Sequence, residues 1–321
     1  MAGTKRLVKS LYKLVSPTVI LSLAAITVAS VWLVYEASRP VNSVYIVTPE
    51  KYGMLSARGA RVTDETWGNA DGTSARGWLL PGTPNAPAVI LLHRYGADRS
   101  HMLNLGVKLN ESTNFTVLMP DLRGHGENPS VECSSFGGCE SDDVAAAIAY
   151  LRGLRSPENM PLVGKDIGIY GVEMGALAAL FAAGGDPTIK AMVLDSVPQD
   201  ANGLMGSVIG KRFPFASNVT SHFASLGTYP YYYEGCFRRA SACDTAKGIT
   251  GRRALLLGGV DSPDFQDATS KLGKCFPAST TADTKTDLSP SGMGMINASI
   301  ELSEAYDQRV IDFMRQALTL P

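Results

Sequence analysis

The stretch Ile167-Gly168-Ile169-Tyr170-Gly171-Val172-Glu173-Met174-Gly175-Ala176-Leu177 restricts the fold more than any other part of the chain. It reads as a buried apolar strand, a sharp turn and an Ala-rich helix running to about Ala183. A strand covered on both faces is a near-continuous apolar run, whereas a half-exposed strand alternates. Gly171 and Gly175 flank the turn, and their lack of side chains lets strand and helix approach closely. An ionisable residue, Glu173, stands between them at the turn itself.

The rest of the chain repeats strand–helix alternation. Ala60 to Trp67 and Ser74 to Leu80 read as a hairpin-like pair around the turn Asn69-Ala70-Asp71-Gly72. Ala88-Val89-Ile90-Leu91-Leu92-His93 is a continuous apolar run, residues 99–109 suit a helix, and Phe115-Thr116-Val117-Leu118-Met119 suits a strand ending at Pro120-Asp121. Residues 141–154 form an Ala-rich amphipathic helix pattern. Ala191 to Asp195 and Arg253 to Gly258 are further buried strands, and residues 303–318 form a closing amphipathic helix capped by Ser303. This order predicts the α/β class, a mostly parallel central sheet with helices on both faces. At 321 residues with 45% hydrophobic residues, the chain can bury one large core with appendages. An irregular insert at about 197–250 holds Phe213, Phe215, Tyr229, Tyr231, Tyr232, Tyr233 and Phe237. It reads either as a lid with aromatics toward a substrate or as an insert with a small core of its own.

The N-terminus differs from the body. A basic segment, 1–16, contains Lys5, Arg6, Lys9 and Lys13, and an uncharged apolar run follows at 17–35. That run has the length of a bilayer-spanning helix. The expectation is a retained single-pass anchor with its basic flank cytoplasmic and the main domain periplasmic or otherwise extracytoplasmic. The alternative is a cleaved signal peptide, against which stand a long apolar region and no clear small-x-small cleavage site. Residues 36–56, with Pro40 and Pro49, read as a tether, leaving 57–321 as the folded domain.

Cysteine usage agrees with export. Cys133 and Cys139 bracket one short loop, Cys236 and Cys243 another, and both spacings suit local disulfides in an oxidising compartment. Cys275 is left over, so spacing alone leaves the pairing open. No histidine lies at ligand spacing near either pair, so no metal is expected, and no cofactor motif is present. A net charge of −1 without basic clusters in the body gives no electrostatic reason for a nucleic-acid partner. Asn110, Asn114, Asn218 and Asn297 open N-x-S/T matches, which matter only where the source glycosylates.

Five ordered motifs carry a family resemblance. They are Asp71 to Leu80, His93 to Ser100, Asp121-Leu122-Arg123-Gly124-His125-Gly126, the turn at 171–175, and Gly258-Gly259-Val260-Asp261. Over about 60–320 the chain resembles the α/β-hydrolase superfamily, particularly its membrane-anchored or secreted serine aminopeptidase and esterase-like members. In that fold the turn is a nucleophile elbow, G-x-S-x-G, and the catalytic residues follow in the order Ser, Asp or Glu, His. Here Glu173 replaces the serine, while Asp261 fills the acid position. The four histidines, His93, His101, His125 and His222, all precede Asp261, and Thr284 to Ser289 stand where the resemblance places the last catalytic histidine. The oxyanion-loop region comprises His93, Arg94 and Met174, with Arg94 in place of a glycine.

Carboxylate chemistry at an elbow has precedent in the superfamily, where dehalogenases and epoxide hydrolases use aspartate and a late histidine. Glu173 is one methylene longer, and about 1 Å of misplacement can cost ~100-fold in rate. His125 is a conceivable substitute base because loops after parallel strands gather at one end of the sheet. Glu173 acting as a general base toward water is another. Arg94 and Glu173, opposite charges in place of two small residues, are expected to pair across the mouth of the pocket, unless they drifted independently. Ser196 reads as strand-end chemistry. The resemblance therefore implies a membrane-anchored protein of hydrolytic ancestry that is not an active serine hydrolase. It would serve a binding or scaffold role, with a small-molecule or protein ligand in the old pocket. The alternative is an active hydrolase of ester, amide or related bonds using Glu173 and Asp261 with a non-standard base.

Overall fold

A computed structural model describes residues 2–41, 47–53, 59–127, 129–233 and 235–319. The tether expected at 36–56 lies partly outside the described residues. The chain divides into two compact units, Met1–Ala37 with Met205–Gly235, and Ser38–Leu204 with Cys236–Pro321.

The first unit is helical. Its first element, α1 (Ala2–Ser38), contains the segment Val15–Ser38, which is long and apolar enough to cross a membrane. In chain order the second unit then has α2 (Pro49–Gly53), β1 (Thr63–Gly68), β2 (Ser74–Leu80), β3 (Ala86–Leu92), α3 (Leu103–Thr113) and β4 (Thr116–Pro120). It continues with α4 (Gly138–Gly153), β5 (Val163–Val172), α5 (Met174–Gly185) and β6 (Ile189–Asp195). The insert is helical rather than irregular. It contains α6 (Ala201–Arg212), which leads into the first unit, α7 (Ser217–Tyr231) and, back in the second unit, α8 (Ala242–Ala246). The chain closes with β7 (Arg253–Gly259), α9 (Pro263–Leu272), β8 (Thr281–Leu288) and α10 (Ile300–Thr319).

Among the described residues the eight strands form one sheet in the order β1-β2-β4-β3-β5-β6-β7-β8. The β1–β2 and β2–β4 pairs are antiparallel, and every pair from β4 across to β8 is parallel. The expected hairpin forms in register from Thr63 opposite Leu79 to Gly68 opposite Ser74, with Gly72 at φ 82° in its turn. The central strands β3, β4 and β6 are almost wholly buried, as their apolar runs require. β8 escapes a hydrophobicity reading because it is an edge strand of sequence TADTKTDL with mostly exposed side chains. The closing helix starts a turn earlier than expected. Ser299, not Ser303, caps it, its Oγ accepting from the Leu302 N–H at 3.4 Å. Its buried Tyr306, Val310, Ile311, Met314 and Leu318 recur at helical spacing and join the core against Tyr170 and Val193.

The cysteine pairs differ from the local loops suggested by spacing. Cys139 pairs with Cys236 and Cys243 with Cys275, at Cα separations of 4.9 and 5.3 Å, while Cys133 is a free thiol. The first link joins the start of α4 to the part of the insert that follows α7. There Gly138 lies so close to the Cys236 carbonyl that no side chain would fit. Proximity across the fold, not along the chain, selects these partners.

Candidate active site

The elbow forms as the sequence dictates. A Cβ on Gly171 would run into the Gly175 backbone, and one on Gly175 into the carbonyls of Leu92 and His93. Glu173 sits at φ 51°, ψ −107°, a left-handed conformation that costs a non-glycine residue of order 1–3 kcal/mol. The turn is fixed by its backbone, the Glu173 N–H donating to Asp195 O at 2.9 Å and the Leu177 N–H to Glu173 O at 3.0 Å.

The Glu173 side chain is buried, and its Oε2 accepts the Tyr95 backbone N–H at 2.9 Å. Tyr95 lies in the loop after β3, which in an elbow enzyme supplies one N–H of the oxyanion hole. The carboxylate therefore occupies a donor that acyl chemistry would need for the substrate oxygen. Among the described ion pairs none joins Arg94 to Glu173, so the expected Arg94–Glu173 pair is not formed. The Arg94 Nη1 instead donates to the carbonyl of Tyr95 at 3.3 Å, while the Glu173 carboxylate takes the Tyr95 N–H.

Both histidines of this region are consumed by structure. His93 is fully buried, its Nε2 accepting the Leu122 N–H at 3.0 Å and its Nδ1–H donating to Arg94 O at 2.8 Å. Burial, aided by neighbouring His125, pushes its pKa down to about 3. His125 repeats the arrangement, accepting from the Gly96 N–H at 3.0 Å and donating to Arg123 O at 2.9 Å. Its pKa is also lowered by burial. Each neutral ring ties the loop after β3 to the loop after β4. His125 thus offers no free nitrogen as a substitute base.

Asp261 follows β7, where the resemblance places the triad acid, but it holds a different partner. It accepts the Ser291 N–H at 3.0 Å and the Ser291 hydroxyl at 3.2 Å. Ser291 thereby ties the loop after β8 to Asp261, whereas Thr284 to Leu288, expected in place of the last catalytic histidine, lie within β8 itself. Ser291 belongs to a buried polar network that sequence reasoning missed. Asp195, at the end of β6, accepts from the Ser196 hydroxyl at 2.7 Å, the Gly292 N–H at 2.9 Å and the Tyr306 hydroxyl at 2.7 Å. The Tyr170 and Tyr306 hydroxyls meet at 3.0 Å. Burial pushes the Asp195 carboxyl up, against the lowering effect of its donors, and pushes the two phenols well up. Met174, the residue after the elbow, is fully buried and receives the Ser134 hydroxyl on its sulfur at 3.2 Å.

A cavity of about 240 Å³ opens beside these groups. Tyr52, Tyr170, Val172, Met293 and Tyr306 are among its lining residues, so its wall is largely apolar and aromatic, and Arg94, His101 and Asp307 add a guanidinium, an imidazole and a carboxylate. No ion pair among the described residues includes Arg94. Among the described residues no group of three or more His, Cys, Asp or Glu is placed to hold a metal ion.

No protein-family model matches the sequence. Among solved structures, the Pyrococcus furiosus esterase Pf2001 is similar over 88% of this chain and 98% of its own, with TM-score 0.65 and 20% identity. The α/β hydrolase GrgF from Penicillium sp. sh18 matches 81% of this chain and 100% of its own, with TM-score 0.59 and 16% identity. The chain has the α/β-hydrolase fold. In sequence, 128 residues, 38% of the chain, are 30% identical to the thiohydrolase apmlB of Arthrinium phaeospermum, and the match spans 39% of that curated relative.

Proposed function

We propose that this chain is a membrane-anchored α/β-hydrolase-fold protein that binds a ligand in the old catalytic pocket and does not act as a serine hydrolase. The observation that carries the reading is the buried Glu173 carboxylate hydrogen-bonded to Tyr95 N–H, with both ring nitrogens of neighbouring His93 and of His125 already engaged. Segment Val15–Ser38 supports the anchor, and the pairs Cys139–Cys236 and Cys243–Cys275 support an oxidising, extracytoplasmic setting for the main domain. On the positive-inside rule the basic flank at 1–16 stays cytoplasmic. The cavity suits a small ligand with an apolar body and an acidic head that pairs with Arg94.

A second reading is supported by the partial likeness to a thiohydrolase: a hydrolase of thioester, ester or amide bonds using Glu173 and Asp261. The test is hydrolysis of a panel of thioesters, esters, amides and epoxides by the full chain, beside Glu173→Gln. The binding reading expects no turnover that depends on Glu173. Wild-type turnover lost in Glu173→Gln would establish the second reading.

A further inference from the structure

The insert helix α7 has the polarity of a helix made for an apolar solvent. Its buried positions are small, Ala224, Gly227 and Thr228. Its exposed positions include Val219, Leu226 and Tyr229 on one face with His222, and Phe215 and Tyr233 extend this exposure beyond either end. A surface helix in water does the reverse, burying large apolar side chains and exposing polar ones. The inward contacts are of the kind that join helices in membranes, where small residues bring backbones together. A Cβ on Gly227 would strike the Ser30 carbonyl of α1, and Cβ atoms on Gly206 and Gly210 would stand 3.6 and 3.5 Å from Ser221 and Ser217.

Three further observations bear on what covers the outward face. Residues 213–233 contain no Asp, Glu, Lys or Arg, whereas Lys211-Arg212 precede them and Arg238-Arg239 follow. Tyr229, Tyr231, Tyr232 and Tyr233 gather at the far end, as aromatic residues do at a bilayer interface. The face is also continuous with the candidate span. Phe213 lies 6.1 Å from Trp32 ring to ring, and Arg212 pairs with Glu36 at 3.2 Å near the end of α1. Both helices thus turn polar together at that end. At 15 residues α7 is too short to cross a bilayer.

We propose that α7 is a second membrane-embedded element, lying in the bilayer interface with its Val219–Leu226–Tyr229 face in the acyl chains that surround α1. This rests on the reading of α1 as a membrane anchor. The full-length protein is reconstituted in phosphatidylcholine vesicles carrying an acyl-chain diazirine phosphatidylcholine, photolysed, reduced and digested with trypsin. The expected result is lipid adducts on both peptides 14–51 and 213–238, well above a sheet-domain peptide such as 254–271. Val219→Asp with Leu226→Asp should lower the label on 213–238 several-fold and leave that on 14–51 unchanged. Adducts on 14–51 with 213–238 at the level of 254–271 would overturn the proposal alone. Adducts on neither would overturn the anchor reading with it. Copy-to-copy cross-links through an unlabelled 213–238 would assign the face to a second copy and equally overturn the proposal. The wild-type pattern decides even if the double variant does not fold.

Discussion

Acid should destabilise this protein through His93, and the size of the loss follows from where its ring nitrogens sit. In the folded chain Nε2 must accept the Leu122 N–H at 3.0 Å, and the ring is fully buried, which holds its pKa at about 3 against an ordinary 6.5. The unfolded chain therefore takes up a proton below pH 6.5 that the folded chain refuses until about pH 3. His93's contribution is complete above pH 6.5 and is lost progressively as the pH falls through that window. At about 1.4 kcal/mol per pH unit, moving from about pH 7 to about pH 4 costs about 3 kcal/mol from His93. His125 adds to the loss in the same direction. Carboxylates titrate in the same range, so the assay is a difference. Denaturant unfolding of the full chain in detergent is compared at the two pH values with that of His93→Gln, whose amide oxygen can replace Nε2 as acceptor. Wild type should lose about 3 kcal/mol more than the variant. Parallel losses would refute the locked neutral imidazole.

Other outcomes follow from the same contacts. Non-reducing peptide mapping should recover Cys139 linked to Cys236 and Cys243 to Cys275, with Cys133 alone alkylated. Recovery of a Cys133–Cys139 link would contradict the fold as described. Cys236→Ser opens a cross-link of sequence separation 97 and should lower stability by about 4 kcal/mol, read by denaturant unfolding beside Cys133→Ala, which should change it little. Tyr306→Phe removes one of three donors from buried Asp195 and should cost about 1–3 kcal/mol. An unchanged midpoint would show that this network is not what holds the loop after β8.

The elbow could be read from the chain because its requirements are local. Gly171 and Gly175 are needed wherever a strand and a helix meet this tightly, and the apolar runs of β3, β4 and β6 mark strands buried on both faces. β8 was invisible because an edge strand is held by backbone pairing to β7 and leaves no apolar run. The insert looked irregular because small and aromatic residues without charges give no amphipathic pattern of the aqueous kind, yet α6 and α7 are helices.

The candidate site divides along the same line. Sequence order alone established that Glu173 stands at the elbow, that Asp261 follows the apolar strand at 253–258, and that no histidine comes after it. Those are facts of identity and position. Tertiary structure decided what these groups contact. It brought Tyr95 N–H to Glu173, engaged both nitrogens of His93 and of His125, gave Asp261 to Ser291, and chose Cys236 and Cys275 as the disulfide partners of Cys139 and Cys243. Hydrogen bonds and disulfides depend on distances of a few ångströms between residues far apart in the chain. Residue order carries no measure of those distances until the sheet has formed.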